Sequence, residues 1–300
     1  YNMERLMDEA ARVSGIDRVE LRRKNFVKPE QMPYKNPMGQ VYDTGAFEMI
    51  MNEALEKADW HGFANREAAS KAQGLWRGLG IATFLEWTGG NALEENVQVQ
   101  ILADGMIEVA SAVNAMGQGI ATSLAQLVVD VFGVDISQVR VVLGDTDRAN
   151  GFGSAGSRSL FTGGSAMRVG AEKTLDKARD LAGQALEASP ADLTYESGKF
   201  SVKGTDLQIS LADLAKRQPE ARIEVQSSTT ASGPTWPNGC HICEIELNPA
   251  TGETKVVSYT SINDAGRIVN PMIVEGQLDG GAVQGMGQAL LEGMVYDAES

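Results

Sequence analysis

The sequence predicts a mixed α+β fold in which β-hairpins and small sheets pack against helices. Residues 96–113 alternate apolar and polar side chains across a break at residues 103–105, which is typical of a β-hairpin. From Ile120 onward, apolar residues recur at helical spacing, as expected for a helix that packs on a core. A second alternating segment near residues 242–261 precedes another Gly-Gln segment. The fold is therefore predicted to contain two pseudo-repeated halves.

The composition excludes several classes of partner. The chain has 300 residues, of which 43% are hydrophobic and 22% charged, and its net charge is −14. A strongly acidic protein repels nucleic acids and anionic membranes, and no apolar run reaches the roughly 20 residues that span a bilayer. We expect a cytoplasmic protein with neither a nucleic-acid nor a membrane partner. Because the sequence has no initiator Met and ends without a closing element, we also expect an interior piece of a longer polypeptide.

The first 73 residues are predicted to be mostly helical. An apolar stripe ends at Gly15, and residues 47–58 form a clear amphipathic pattern. Asp17, followed by Glu20, resembles a capping box for a short second helix. At Gly74 the pattern changes to strands and turns, so we predict a boundary there, with a second domain over 74–300.

A Gly-Gln-Gly segment, Gly117-Gln118-Gly119, stands between the first hairpin and its helix. Glycines at such a turn let an anionic group approach the unpaired N–H groups of a helix start. Gln118 adds an amide that can donate and accept hydrogen bonds. The alternative is an ordinary strand-to-helix turn.

A long loop rich in Gly and Ser follows a predicted strand at residues 139–143. Residues 151–156 match GxGxxG, but seven residues separate the motif from the strand, so a dinucleotide-binding fingerprint is disfavoured. The hydroxyls, glycine N–H groups and Arg158 suit an extended polyanion, with Arg158 as the charged donor. A mobile linker is the alternative, although Phe152 and Phe161 are poor linker residues.

Other reactive side chains are assigned to structure. Cys240 and Cys243 form the sequence Cys-His-Ile-Cys, but two cysteines are too few for an iron–sulfur cluster, and packed strand residues are favoured. His61 lies in a polar connector, and the pair Asp145 and Asp147 is interpreted as a capped turn. We therefore predict no metal bound by protein side chains and no hydrolytic site.

Three segments together resemble the molybdopterin-binding subunit of the xanthine dehydrogenase, aldehyde oxidase and carbon monoxide dehydrogenase family. They are AMGQGIATSLAQ at 115–126, GFGSAGSRSLFTGGSA at 151–166 and NDAGRIVNPMIVEGQLDGGAVQGMGQAL at 263–290. The flanking segments at 1–26 and 86–105 resemble the same subunit, so the similarity covers essentially the whole chain. It implies that residues 1–73 end a first molybdopterin-binding domain and that 74–300 belong to a second one.

The resemblance implies a molybdenum hydroxylase, an oxidoreductase that inserts water-derived oxygen at an aldehyde, purine or N-heterocycle carbon. Its cofactor is molybdenum-molybdopterin, expected in the cytosine dinucleotide form, with molybdenum held by the pterin dithiolene rather than by protein. Electrons leave through two [2Fe–2S] clusters on a small subunit to FAD on a medium subunit, in a dimer of heterotrimers. A carbon monoxide dehydrogenase large subunit is an alternative within this family, and a non-redox nucleotide-binding or anion-binding module is an alternative from another class.

The cofactor residues follow from matching motifs, and all of them are implied by the resemblance alone. Gly117, Gln118 and Gly119 are expected to contact the pterin. The pyrophosphate and nucleotide part is expected to be lined by Ala155, Gly156, Ser157 and Ser159, with Arg158 nearby. Further contacts are expected from Gln277 and Gln284, and at the cofactor tail from Asn263 and Asp264. Phe84 lies where the family has substrate-pocket residues.

The resemblance places the remaining catalytic groups outside this sequence. The family's glutamate general base would follow Ser300, and the glutamine and the substrate-facing loop beside molybdenum would precede Tyr1. No residue of the chain is therefore assigned as catalytic, and this piece alone is expected to be inactive.

Overall fold

The structure is a computed structural model that describes residues 1–90 and 93–299. In chain order its α-helices are α1 (Asn2–Ser14), α2 (Arg18–Asn25), α3 (Phe47–Lys57), α4 (Phe63–Ala72), α5 (Ile120–Phe132), α6 (Ser165–Ala185), α7 (Leu211–Lys216) and α8 (Pro271–Leu290). Its strands are β1 (Tyr34–Lys35), β2 (Val41–Tyr42), β3 (Trp76–Leu85), β4 (Glu94–Leu102), β5 (Ile107–Ser111), β6 (Val139–Leu143), β7 (Leu193–Glu196), β8 (Lys199–Val202), β9 (Gln208–Ser210), β10 (Arg222–Thr230), β11 (Asn238–Leu247) and β12 (Thr254–Asp264). The predicted α+β class is confirmed.

The chain divides into two compact units that are each built from separate segments. The first unit contains residues 1–87, 235–267 and 281–300, and the second contains 88–234 and 268–280. The first 73 residues are mostly helical, as predicted, because α1 to α4 account for most of them. The domain boundary at Gly74 stays a prediction.

In the first unit, a three-stranded antiparallel sheet in the order β12-β11-β3 packs against α3. Its core joins Met51 and Ala54 of α3 to Cys240 and Ile242 of β11. Alternate residues of a strand point to opposite faces, so the predicted burial of Cys240 and Ile242 on one face is confirmed, while His241 and Cys243 are half-buried. This packing explains the Cys-His-Ile-Cys sequence without any reactive role.

In the second unit, a four-stranded sheet in the order β10-β4-β5-β6 forms the central layer. Strands β10, β4 and β5 pair antiparallel, whereas β5 and β6 pair parallel through the crossover helix α5. Helices α5 and α6 contact each other and the sheet, and Val99, Ile107, Leu124 and Met167 are completely buried between these layers. The two predicted elements around residue 119, the hairpin and the helix, are confirmed.

Side-chain caps explain several helix ends in this fold. Asp17 accepts hydrogen bonds from the backbone N–H groups of Val19 and Glu20, and Ser210 accepts one from that of Asp213. Both caps satisfy N–H groups that a helix start otherwise leaves unpaired, and the cap at Asp17 was predicted. Among the described residues, every helix is too short or too polar to cross a bilayer.

Candidate functional site

The candidate site lies at the edge of the four-stranded sheet where β5 and β6 end. These two strands run parallel, and their last residues, Ser111 and Leu143, stand opposite each other in the pairing register. The Gly-Gln-Gly segment follows β5, and the Gly/Ser-rich loop follows β6, so both segments start from the same sheet edge. In sheets with helical crossovers, this carboxyl edge is where ligand sites form.

The Gly-Gln-Gly segment is a corner held closed by its own glutamine. The φ angles of Gly117 and Gly119 are 98° and 73°, values that side chains with a Cβ rarely adopt. The Gln118 side-chain oxygen accepts a hydrogen bond from the Met116 N–H at 2.7 Å, and its amide nitrogen donates one to the Asn114 carbonyl at 2.8 Å. One amide hydrogen and one lone pair of Gln118 remain for a ligand.

Ser154 fastens the loop after β6 to the corner after β5. Its hydroxyl accepts a hydrogen bond from the Asn114 N–H at 2.8 Å and lies 3.2 Å from the Asn114 carbonyl oxygen. On its other side, the same hydroxyl is 2.7 Å from that of Ser159. The corner and the loop therefore form one hydrogen-bonded surface.

The part of the loop between these serines is open to solvent. Ala155, Gly156 and Ser157 are all exposed, and Ser157 has a left-handed φ of 59°. Space lies open within 4 Å of the position that a Cβ would take on Gly156, and the same holds at Gly117. A π-helical turn over Ser159–Gly164 then leads into α6, a feature that is frequent at functional sites. Backbone and hydroxyl donors thus face accessible space.

Arg158 faces the protein interior instead. Its side chain is 1% exposed, and one guanidinium nitrogen is 2.7 Å from a carboxylate oxygen of Glu95, which is itself completely buried. The guanidinium also donates hydrogen bonds to the carbonyls of Gly153 at 2.5 Å and Glu94 at 3.0 Å. Removing one partner of such a pair costs on the order of 3–5 kcal/mol of stability, because it leaves a buried charge. The expected role of Arg158 as a charged donor to an anion does not follow from this geometry.

Sequence reasoning missed Glu95, although the sequence carried a signal for it. Glu95 stands at alternate spacing with Val97 and Val99 on β4 and therefore shares their buried face. A carboxylate on a core face requires a buried cation. Arg158, the one Arg of the loop at 151–164, lies 63 residues further along the chain, and only the folded structure identifies it as that cation.

The prediction that the second Gly-Gln segment repeats the structure of the first one is wrong. Gln277 and Gln284 both lie inside the uninterrupted helix α8, which begins at Pro271 and has no residue with positive φ. Because this segment is helical where the first one turns, the predicted pseudo-repeat of two halves is not confirmed. The Cβ position of Gly119 is 2.7 Å from the Ile273 side chain, so α8 starts beside the first corner.

Gln277 and Gln284 differ in their relation to that corner. Gln277 is exposed and lies one helical turn after Ile273 on the same helix face, within the second unit. Gln284 is exposed as well but belongs to the part of α8 assigned to the first unit. Gln277 therefore lies on the face of α8 that approaches the corner through Ile273.

Asn263 and Asp264 belong to the first unit, at the end of β12. Asn263 donates a hydrogen bond to the Ser261 hydroxyl at 2.5 Å and lies 3.2 Å from a ring nitrogen of His241. The Asp264 carboxylate accepts the Gly266 N–H at 2.9 Å, which closes a turn. Both side chains have structural partners, and their predicted contact with a cofactor stays a prediction.

Phe84 lines a cavity of about 240 Å³ within the first unit. The cavity is walled mainly by aromatic and aliphatic side chains, and it is lined by Asn25, Phe26, Val27, Tyr42, Phe47, Thr83, Phe84, Leu85, Asn238 and Gly239. Asn238 is 2% exposed, and among the described residues its side-chain oxygen has no hydrogen-bond partner. Because this oxygen is inaccessible to solvent, the open part of the cavity is bounded mainly by apolar walls.

The remaining reactive side chains have structural roles. Burial raises the pKa of the Cys240 thiol to about 12, which disfavours the thiolate that metal binding requires. Asp145 accepts the Asp147 N–H at 3.1 Å, so the predicted capped turn is confirmed. Within the described residues, no group of three or more His, Cys, Asp or Glu side chains could hold a metal ion.

Comparisons with known proteins agree on one family. Residues 53–300 match the sequence profile of the molybdopterin cofactor-binding domain. The chain is 34% identical to the nicotine 6-hydroxylase large subunit of Paenarthrobacter nicotinovorans, over 98% of this chain and 39% of that protein. It is 32% identical to the carbon monoxide dehydrogenase large chain of Hydrogenophaga pseudoflava, over 100% of this chain and 40% of that protein. The chain thus spans about 40% of the length of these relatives.

Solved structures support the same relationship. Quinoline 2-oxidoreductase from Pseudomonas putida 86 superposes with a TM-score of 0.88 at 32% identity, over 99% of this chain and 40% of that one. A Cu,Mo-CO dehydrogenase superposes with a TM-score of 0.87 at 28% identity, over 98% of this chain and 40% of that one. The two agree with the sequence relatives in both fold and coverage.

Proposed function

The chain belongs to the molybdopterin cofactor-binding family of molybdenum hydroxylase large subunits, and on this basis we propose that its second unit binds the cofactor between the 114–119 corner and the 154–159 loop. The hydrogen bonds of Ser154 to Asn114 carry the proposal, because they join two segments that start from one sheet edge. The corner takes the pterin part, and the loop takes the phosphate-bearing part.

The residues present fit a phosphorylated pterin. The exposed loop offers N–H groups and the Ser157 hydroxyl, and among the described residues the buried Thr162 hydroxyl oxygen has no hydrogen-bond partner. The absence of a Cβ at Gly117 and Gly156 leaves open space beside the backbone. Such a set of neutral donors at a helix start is suited to phosphate groups. We further propose the cytosine dinucleotide form of the cofactor, which is long enough to contact both segments.

The proposed reaction is hydroxylation of an electron-poor carbon with oxygen from water, which is the chemistry that the bound cofactor supplies. The role of this chain is to hold and orient the cofactor. Gln118 and Gln277 would supply amide donors and acceptors from the corner and from α8. The raised pKa of Cys240 agrees with the proposal that the [2Fe–2S] clusters, like FAD, reside on partner subunits. We propose that this subunit forms a heterotrimer with the iron–sulfur subunit and the FAD subunit, and that two such heterotrimers form a dimer.

For the substrate, the cavity around Phe84 favours a small, neutral, ring-containing molecule over carbon monoxide. Its aromatic walls suit a flat ring. Among the described residues, no ionic side chain lines the cavity, so a charged substrate would remain unpaired. An N-heterocycle or aromatic aldehyde is therefore preferred, and carbon monoxide is the alternative.

The test uses the protein purified with the subunits that accompany it. We expect molybdenum in the metal analysis, and oxidation is expected to release a fluorescent pterin together with a cytosine nucleotide. A non-redox nucleotide- or anion-binding module would contain a nucleotide or nothing, without molybdenum or pterin. For the substrate, Phe84→Ala is expected to raise KM for an N-heterocycle by about tenfold, as expected when an aromatic contact to the bound ring is lost. An unchanged KM would contradict the substrate proposal alone.

A further inference from the structure

We propose that Arg158 and Glu95 are positioning residues: their buried ion pair fixes the loop at 151–164, and the Arg158 charge is not used to bind the cofactor. The inference rests on the proposed function, because it concerns how the same loop holds a phosphate-bearing ligand. It assigns a role to Glu95, which sequence reasoning missed, and it changes the role of Arg158 from ligand donor to structural tie.

The contacts of Arg158 direct its charge inward. The guanidinium bonds to the Glu95 carboxylate and to two backbone carbonyls, one in the loop at Gly153 and one in β4 at Glu94. These contacts connect the loop to the central sheet through a planar group with several donors. Since the side chain is only 1% exposed, a phosphate at the loop surface would meet Ser157 and the exposed backbone before it met the guanidinium.

The segment before Arg158 is closely fitted to this pair. The position of a Cβ on Gly151 would be 2.8 Å from a Glu95 carboxylate oxygen and 3.0 Å from the Ala112 side chain. The Phe152 ring lies across the Arg158 guanidinium, with 5.7 Å from the ring centroid to Cζ. The ion pair is thus in contact with both ends of the Gly151–Arg158 turn, while Ser154 within that turn contacts the corner.

The two possible roles of Arg158 predict opposite effects of neutralising Glu95. If Arg158 supplied positive charge to the cofactor, Glu95→Gln would release that charge from its partner and leave cofactor binding unchanged or stronger. If the pair positions the loop, the same change weakens its anchor, so cofactor binding falls although the cationic side chain is intact. The sign of the effect therefore separates the roles.

The experiment compares the wild type with Glu95→Gln in the full protein with its natural subunits. The matched control is Glu108→Gln on β5, which weakens ion pairs to Arg140 on β6 and to Arg148 in the turn after β6. Molybdenum and releasable pterin are measured per folded chain, and amide hydrogen exchange is followed over residues 151–164. We expect Glu95→Gln to lower cofactor content at least fivefold with faster exchange in this loop, and the control to stay within twofold.

A second variant covers the case in which Glu95→Gln does not fold. Gly151→Ala adds a methyl group against the Glu95 carboxylate and changes no charge, and we expect a threefold or greater loss of cofactor. Cofactor content equal to wild type in whichever of these variants folds would overturn the positioning role. A wild type without molybdenum or pterin would instead overturn the proposed function, and the inference with it, so the two failures are distinguishable.

Discussion

Two segments of the chain carry Gly and Gln in similar order, yet they have different structures. Gly117-Gln118-Gly119 forms a corner with left-handed glycines, and its glutamine side chain bonds to the backbone of Asn114 and Met116, which precede it. Gly276-Gln277 lies in the helix α8, where the helix continues through every glycine. The difference comes from the preceding residues: the first segment follows β5 through the irregular residues 112–116, whereas Pro271 starts a helix before the second segment is reached.

A Gly-Gln sequence therefore does not by itself determine a turn. A glycine after a strand can adopt the left-handed backbone conformation that redirects the chain. A glycine inside a helix keeps the helical conformation and adds no side chain to the helix surface. Around Gly276, Gly280 and Gly281, no atom of the described residues lies within 4 Å of the Cβ position. The corner should therefore be sensitive to added side chains, and the helix should tolerate them.

The largest effect is expected for Gly119→Val. A β-branched side chain at φ 73° is strained, and its Cβ would lie 2.7 Å from Ile273. We expect the free energy of unfolding to fall by about 3 kcal/mol, from backbone strain and overpacking together. Thermal unfolding checks this value, and Gly276→Val is the control, with an expected change below about 0.5 kcal/mol. Equal losses of unfolding free energy in both variants would show that the corner is no more sensitive to an added side chain than the helix.

A smaller loss is expected for Gln118→Ala. The change removes two hydrogen bonds that close the corner, each worth about 0.5–1.5 kcal/mol. We expect a destabilisation of about 1–2 kcal/mol in urea unfolding, together with lower cofactor retention. Gln288→Ala in α8, where the side chain is exposed, is the control. Unchanged molybdenum content in Gln118→Ala would count against the assignment of the corner as a cofactor contact.

Cys240 belongs to another short motif, Cys-His-Ile-Cys, whose residue types suggest redox chemistry or metal binding. Burial raises its pKa from an ordinary value near 9 to about 12, so the folded state keeps the proton that the unfolded state loses. Stability from the neutral thiol is complete below about pH 9 and declines as the pH rises towards 12, with a slope on the order of 1 kcal/mol per pH unit. Urea unfolding at pH 8, 9 and 10 measures the slope, and Cys240→Ala should make it shallower. An identical slope would refute the burial argument.

The smallest effect on stability is expected for Gln277→Ala, because the side chain is exposed in a helix that tolerates alanine. The free energy of unfolding should change by less than about 0.5 kcal/mol, whereas cofactor retention should fall. This combination would distinguish a ligand contact from the turn-closing role of Gln118. A variant that retains as much molybdenum as wild type would remove Gln277 from the site.

Much of the fold follows from local sequence patterns. Alternation predicted the β4–β5 hairpin, apolar spacing predicted α5, and the bounds of β6 were predicted at Val139 and Leu143. These features depend on neighbouring residues only. The pairing of β10 with β4 joins residues more than 100 positions apart, and no local pattern encodes it.

The candidate site was predictable in its segments but not in its contacts. The corner and the serine loop were identified, and their hydrogen bonds through Ser154 became evident only when β5 and β6 were found to be parallel neighbours. In the sequence, Arg158 in a Gly/Ser loop resembles a hydrogen-bond donor to an anion. Its burial could not be predicted, because it depends on Glu95 in a distant strand. Sequence motifs thus predicted the segments of the candidate site, whereas long-range packing determined the contacts of Arg158.

The central claim is that the corner and the loop bind one cofactor together. The most direct test measures amide hydrogen exchange over residues 114–119 and 153–159 in the full protein, with cofactor present and after its removal. We expect both segments to exchange faster without cofactor, and Ser154→Ala to reduce the protection of both. Protection of only one segment by the cofactor, or of neither, would show that the corner and the loop do not bind it together.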